Sequence, residues 1–255
     1  MNRIVLVTGA GSGIGAATAA VFATDGSHVV CVDVDGPAAA ATARALSARG
    51  HSASSAALDV RDEHDWEQVV GRSMADHGRL DVLVSCAGVS SGSPLADTEL
   101  GEWRRVLATN LDGAFLATKH GLRAMRERGG VIVHVGSASG IRAAPGAAAY
   151  SVSKAGLGML VRVAAKECRD GGIPVRVCAV SPAGVRTPMW ERMPFFQEIV
   201  TQTGSVAAAF DALEQGGGGK FSDPEDVARV IRFLASDDAR HLNGVEIPAD
   251  SGYVL

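Results

Sequence analysis

Thr8-Gly9-Ala10-Gly11-Ser12-Gly13-Ile14-Gly15 is the stretch on which the fold turns. It closes an aliphatic run at residues 3–8 and opens a helical stretch at 13–25. Four glycines in seven residues let a backbone turn sharply at a strand end and approach a bulky anion closely. A helix that starts there points its unpaired N–H groups and the positive end of its dipole at that anion, as dinucleotide sites require. The spacing GxGxxG is not met, and a glycine-rich turn also serves plain structural tightness. Asp33 adds a second signal, because it ends the next apolar run eighteen positions after Gly15. A carboxylate there reaches the hydroxyls of an adenine ribose. Gly36-Pro37 follows closely, so Asp33 also suits a simple turn.

Outward from this stretch, short apolar runs alternate with longer helical ones. Strands are expected at residues 3–8, 28–33, 53–58, 81–85, 131–137, 175–180 and 245–248. Several are continuously apolar, the pattern of parallel strands covered on both faces. Helices are expected at 13–25, 37–49, 62–77, 100–128 (with a bend), 150–169 and 224–235. Ser222-Asp223-Pro224-Glu225 reads as a capping box with proline in the first turn of the last helix. Strand–helix alternation of this kind builds one doubly wound α/β domain over residues 1–255, with helices on both faces of a seven-stranded parallel sheet.

The bulk numbers agree. With 47% hydrophobic residues, a chain of 255 can bury one large core. A formal net charge of −4 without runs of like charge argues against nucleic acid or an anionic membrane as partner. Cys31, Cys86, Cys168 and Cys178 form no CxxC pair and no metal-ligand spacing, so free thiols in a reducing cytoplasm are expected. Residues 4–24 carry no charge and superficially resemble a signal peptide or membrane span. The four glycines would weaken either, and burial in a core accounts for the run. Residues 187–220 interrupt the alternation with Met189, Trp190, Met193, Phe195 and Phe196, then end in four glycines. An apolar lid with a glycine hinge is expected there, rising from the sheet edge where ligands bind.

Tyr150 and Lys154 are four apart and so share one helix face. With two tyrosines and four lysines in the chain, a chance YxxxK arises with odds of roughly 0.03. A free phenol has a pKa near 10, too high for a base at neutral pH. A neighbouring ammonium and an oxidised nicotinamide both favour the phenolate.

At this point the chain resembles the short-chain dehydrogenase/reductase family over essentially its whole length. The family's TGxxxGxG matches Thr8 to Gly15, and its YxxxK matches Tyr150 and Lys154. Its strand-end serine matches Ser137, thirteen before Tyr150, and its helix asparagine matches Asn110. The resemblance implies a Rossmann-type fold and a nicotinamide-linked alcohol dehydrogenase or ketone reductase. Tyr150 is then the general acid/base, and Ser137 holds the substrate oxygen. Lys154 binds the nicotinamide ribose and tunes Tyr150, while Asn110 positions a water that links Lys154 to solvent. Cofactor contacts are expected from Gly9, Ser12, Gly13, Ile14, Asp33, Asp59, Val60, Ala87, Gly88, Tyr150, Lys154, Val185 and Thr187. Asp33, with no basic residue at Ala10 or Ser12, selects NAD over NADP.

Two departures from the family stand out. Its NNAG reads Ser85-Cys86-Ala87-Gly88 here, so both amide side chains are missing and Ser85 is expected to take over some of their hydrogen bonding. Its PG reads Pro182-Ala183-Gly184. His134 within Val131-Ile132-Val133 reads as a hydrogen-bonded core residue, and Arg142 as a solvated surface residue. No catalytic metal is expected. The apolar lid implies a hydrophobic or alicyclic secondary alcohol as the small-molecule substrate. An NADPH-linked 3-ketoacyl-type reductase and a non-enzymatic NAD-binding regulator are the rival readings. The regulator would have lost a reacting group, and all four are present. The resemblance also implies a homotetramer, with Phe115, Leu116, Leu160 and Val161 facing either a partner subunit or the chain's own sheet.

Overall fold

The computed structural model describes residues 3–90 and 92–255. Strands β1 (Ile4–Thr8), β2 (His28–Asp33), β3 (Ala53–Ala57), β4 (Val82–Ser85), β5 (Gly130–Val135), β6 (Val175–Pro182) and β7 (Glu246–Ala249) form one parallel sheet. Their order is β3-β2-β1-β4-β5-β6-β7. Because the order reverses between β1 and β4, a crevice opens at their carboxyl ends, where ligands of doubly wound sheets bind.

Helices α1 (Gly13–Thr24), α2 (Gly36–Ala48), α3 (Glu63–His77), α4 (Leu100–Leu107), α5 (Gly113–Met125), α6 (Ala148–Asp170) and α10 (Pro224–Leu234) cover the sheet. Strand alternation sorts the core into two layers. Ile4, Leu6, Leu83 and Ile132 pack with Trp66, Ala117, Leu157 and Val161 of α3, α5 and α6. Val5, Val7, Val84 and Val133 pack with Phe22, Leu46 and Ile231 of α1, α2 and α10. This is why β1 is buried at all five positions and reads as an apolar run up to Thr8.

Several expectations shift in detail. The single bent helix at 100–128 is two helices joined by a π turn at Ala108–Asp112. Such a turn widens the backbone and shifts its hydrogen-bond register. Gly113 directly after it is forced by packing, since a Cβ there would lie 2.9 Å from Val60 Cγ2. The capping box of α10 is one residue later than expected: Asp223 is the N-cap, and its N–H donates to Asp226 at 3.1 Å. Leu116 and Val161 belong to the chain's own core, whereas Phe115, Val152, Met159 and Val163 are the exposed apolar residues of α5 and α6. Arg142 is engaged rather than merely solvated: it lies 4.9 Å over the Tyr253 ring and donates to the Tyr253 carbonyl at 2.6 Å. All four cysteines are free thiols.

Residues 187–220 fold into α7 (Pro188–Glu191), α8 (Pro194–Thr203) and α9 (Val206–Leu213), with a π turn at Glu214–Gly218. With Phe221 just beyond them they carry a small core, in which Phe196, Phe210 and Phe221 are buried and Trp190 packs alongside. Arg186 closes the base by donating to Asp211 and Glu214, both at 3.0 Å, beneath the Phe210 ring. Among the described residues, no helix is long and apolar enough to cross a membrane.

Candidate active site

Ser137 follows β5 in extended conformation and caps a 3-10 turn at Ala138–Gly140, its Oγ accepting from the Ser139 N–H at 3.1 Å. That turn lies tightly on α6, since a Cβ on Gly140 would meet the Lys154 backbone at 2.8 Å. Tight packing of this kind brings Ser137 to Tyr150, the third residue of α6. The Ser137 hydroxyl, which accepts from Ser139, keeps its proton to donate to Tyr150. Burial pushes the Tyr150 phenol above its ordinary value, and the Ser137 hydrogen bond pulls it back down. The Ser137 hydrogen bond thus favours the phenolate.

Lys154 is buried, donates to the Val135 carbonyl at 2.8 Å and lies 5.7 Å from the Tyr150 ring centroid. Burial lowers its ammonium to about 8, so at neutral pH it is charged yet close to titration. Asn110, in the π turn, is 2% exposed. Its Oδ1 accepts from the Val89 N–H at 2.8 Å, and its Nδ2 donates to Val89 O at 2.9 Å and Ser153 Oγ at 3.1 Å. Its side chain is thus committed to the loop after β4. Gly88 lets that loop approach, because a Cβ there would lie 3.3 Å from Asn110 Oδ1 and 3.6 Å from Lys154 Nζ. Tyr150, Lys154, Ser137 and Asn110 converge at the carboxyl end of the central strands. Sequence reasoning passed over Ser153, whose Oγ donates to Tyr150 O at 2.7 Å and so ties Asn110 to α6.

The glycine loop after β1 forms a cradle open to a ligand. Gly9 (φ +66°) lies so close to Ala87 that a Cβ would sit 3.0 Å from its backbone, and one on Gly15 would sit 2.1 Å from the Gly9 carbonyl. Gly13 (φ +53°) faces the Thr187 methyl. Thr187 thereby comes over the loop, beside Ser12 and Ile14 at the start of α1, and the adjacent Val185 is buried. Asp33 anchors the loop: its carboxylate accepts from the Gly11 N–H at 2.9 Å and the Asp35 N–H at 3.0 Å. It is therefore both turn former and rim of the cradle, and each oxygen keeps a lone pair. Asp59 pairs with Arg61, which holds its carboxyl below the usual range. Val60 is buried, and its carbonyl accepts from the Trp66 indole at 3.0 Å. The backbone of the Ser85-Cys86-Ala87 turn is held by Thr8, whose Oγ1 accepts from the Cys86 and Ala87 N–H groups, both at 3.1 Å. The threonine that opens the glycine motif was the available signal. The glycine cradle, the helix N-terminus and the rim carboxylate fit a dinucleotide.

Beside these groups lies a cleft of about 650 Å³ lined by Gly92, Ser93, Pro94, Leu95, Pro145, Gly146 and Phe195. Three segments meet there: the loop after β4, the loop joining Ser137 to Tyr150, and α8. Its described lining holds no charged side chain. A smaller crevice, about 190 Å³, lies apart between β3 and α3.

A seven-stranded doubly wound sheet with a glycine cradle and a buried Tyr–Lys–Ser–Asn cluster defines the class of nicotinamide-linked oxidoreductases. A family model described as enoyl-(acyl carrier protein) reductase matches residues 9–254. The cis-4-hydroxycyclohexanecarboxylate dehydrogenase of Sinomonas cyclohexanicum is 40% identical over 254 residues, covering 99% of this chain and 96% of that one. The 3-oxoacyl-(acyl-carrier-protein) reductase of Thermotoga maritima is 35% identical over 255 residues, covering 100% and 98%. The crystal structure of levodione reductase superposes with a TM-score of 0.87 at 30% identity, covering 99% and 97%. The chain belongs to the short-chain dehydrogenase/reductase family, and it is an oxidoreductase that uses a nicotinamide cofactor.

Proposed function

We propose that this protein interconverts a neutral, hydrophobic or alicyclic secondary alcohol and its ketone with NAD(H). The observation that carries the reading is the convergence of Ser137 and the buried Lys154 ammonium on Tyr150. Tyr150 takes the alcohol proton during oxidation and returns it to the carbonyl oxygen during reduction. Ser137 holds that oxygen against the phenol, and the Lys154 ammonium stabilises the phenolate as it forms. The nicotinamide, when bound, supplies the acceptor or donor of the carbinol hydride. Gly9, Ser12, Gly13, Ile14 and Thr187 would hold its phosphates, Asp33 the adenine ribose, and Asp59 with Val60 the adenine. Ala87, Gly88, Tyr150, Lys154 and Val185 would hold the nicotinamide half.

The uncharged cleft supports a neutral ring as substrate; the cyclohexane ring in one relative's name, which carries a carboxylate, supports the ring and not its neutrality. Residues 187–220 act as the lid, with Phe195 as the face turned to the substrate. Asp33 supports NAD against the NADPH-linked 3-ketoacyl alternative. The exposed apolar residues of α5 and α6 support a homotetramer, checked by light scattering, where a monomer mass refutes it. A panel of cyclic and open-chain secondary alcohols with NAD, read as NADH absorbance, tests the main reading. No turnover of any member would overturn it.

A further inference from the structure

His134 is fully buried on β5, three residues before Ser137. Its Nε2 lies 3.0 Å from Thr118 Oγ1. The Thr118 hydroxyl donates its one proton to the Ala114 carbonyl at 2.8 Å, so towards His134 it can only accept. With the Thr118 proton on the Ala114 carbonyl, Nε2 carries the imidazole proton and Nδ1 presents a bare lone pair. Nδ1 is buried without a partner among the described residues. An unsatisfied buried acceptor is unfavourable and demands a donor. The Lys154 ammonium sits on the carbonyl of the very next residue, Val135, at 2.8 Å and is close enough to act electrostatically on the imidazole.

We propose that His134 is a positioning residue, whose Nδ1 lone pair accepts from the Lys154 ammonium through one water and keeps it charged and aimed at Tyr150. The proposal rests on the role given above to Lys154 in alcohol oxidation. Burial holds the imidazole down at about 3, with Lys154 contributing, so His134 is a neutral acceptor at every working pH. The surrounding groups leave no competing charge switch. α6 brings Lys154 itself and Tyr150. The end of β4 brings Ser85, in register with His134, and then the Cys86 thiol, which burial pushes up to about 12. α5 and the π turn bring the uncharged Thr118 and Asn110. β6 places Ala179 in register, and Ser181 beyond it donates to Glu246 of β7 at 2.7 Å.

The test reads Lys154 directly, so it does not depend on finding a substrate. The chain has only four lysines, so in protein labelled with carbon-13 at lysine Cε the Lys154 resonance can be assigned with Lys154→Arg. Wild type is expected to titrate near 8. His134→Leu should lower that midpoint by about one unit, the scale of one hydrogen bond to a charged group. Thr118→Val should do the same by another route, because an Nε2–H left without an acceptor flips the tautomer and turns Nδ1 into a donor. His134→Asn, whose amide oxygen restores an acceptor, should recover the wild-type midpoint. The basic limb of kcat/KM should move with the resonance, while affinity for NADH stays within about twofold. An unchanged Lys154 midpoint in folded Thr118→Val or His134→Leu would overturn the proposal and leave His134 a core residue. Shifted midpoints in a protein that oxidises no alcohol would overturn the catalytic reading instead.

Discussion

Replacing Asp33 by serine tests cofactor choice with a ratio that cancels its own side effects. Both carboxylate oxygens hold backbone N–H groups, those of Gly11 and Asp35. Asp33→Ser therefore loosens the cradle and weakens NAD and NADP alike. What differs is the 2′ position of the adenine ribose, a hydroxyl in NAD and a phosphate in NADP with between about one and a half and two negative charges. Two unit charges about 4 Å apart near a protein surface repel by about 4 kcal/mol. Asp33 is half-buried, so water and salt reduce this to about 2.8 kcal/mol, a roughly hundredfold preference. The expected outcome is that wild type favours NAD over NADP at least about a hundredfold in kcat/KM. Asp33→Ser should bring that ratio below about ten while lowering both absolute values. Val34 next to it is 69% exposed, so Val34→Arg added to Asp33→Ser meets no packing and should narrow the ratio further. Steady-state kinetics with both cofactors on one substrate measure it. Equal use by wild type, or a ratio unmoved by Asp33→Ser, would refute the reasoning and leave Asp33 as the anchor of Gly11 alone.

Tyr150→Phe should keep NADH affinity by calorimetry and lose at least about a hundredfold in turnover; near-normal turnover would mean another group moves the proton. Gly15→Ala drives a methyl onto the Gly9 carbonyl, so NADH affinity should fall at least about tenfold by fluorescence titration, and an unchanged value would remove the cradle from the site. The Lys154 pKa is depressed, so its ammonium is present below about 8 and lost above it. In alcohol oxidation, kcat/KM should accordingly decline as pH rises through that value, and a flat profile to pH 10 would contradict the role of the charge. Phe196 is fully buried in the small core over the cleft. Phe196→Ala should cost that cluster about 3 kcal/mol, seen as faster proteolysis in 187–220 and a raised substrate KM with NADH affinity kept.

The sheet was legible in the chain because parallel strands buried on both faces read as near-continuous apolar runs, as Ile4–Val7 of β1 and Val82–Val84 of β4 do before their polar ends. β3 was legible more weakly, by its place between two helices, since Ser54 and Ser55 interrupt it and it sits at an edge. The four reacting groups were legible as spacings, because a helix repeat and a strand end impose them. Which partner each would take was not. Hydrogen bonds across elements depend on how closely backbones approach. So only the tertiary structure decided that Thr8 holds the Cys86 and Ala87 N–H groups, or that Asn110 is committed to Val89 and Ser153. The lid shows the same division. Its aromatic residues announced an apolar excursion, but a cluster of Phe196, Phe210 and Phe221 forms from contacts up to twenty-five positions apart, which no local pattern encodes. His134 is the sharpest instance. The sequence made it a core histidine, and only the packing of Thr118 against its ring shows one nitrogen engaged and the other buried without a partner among the described residues.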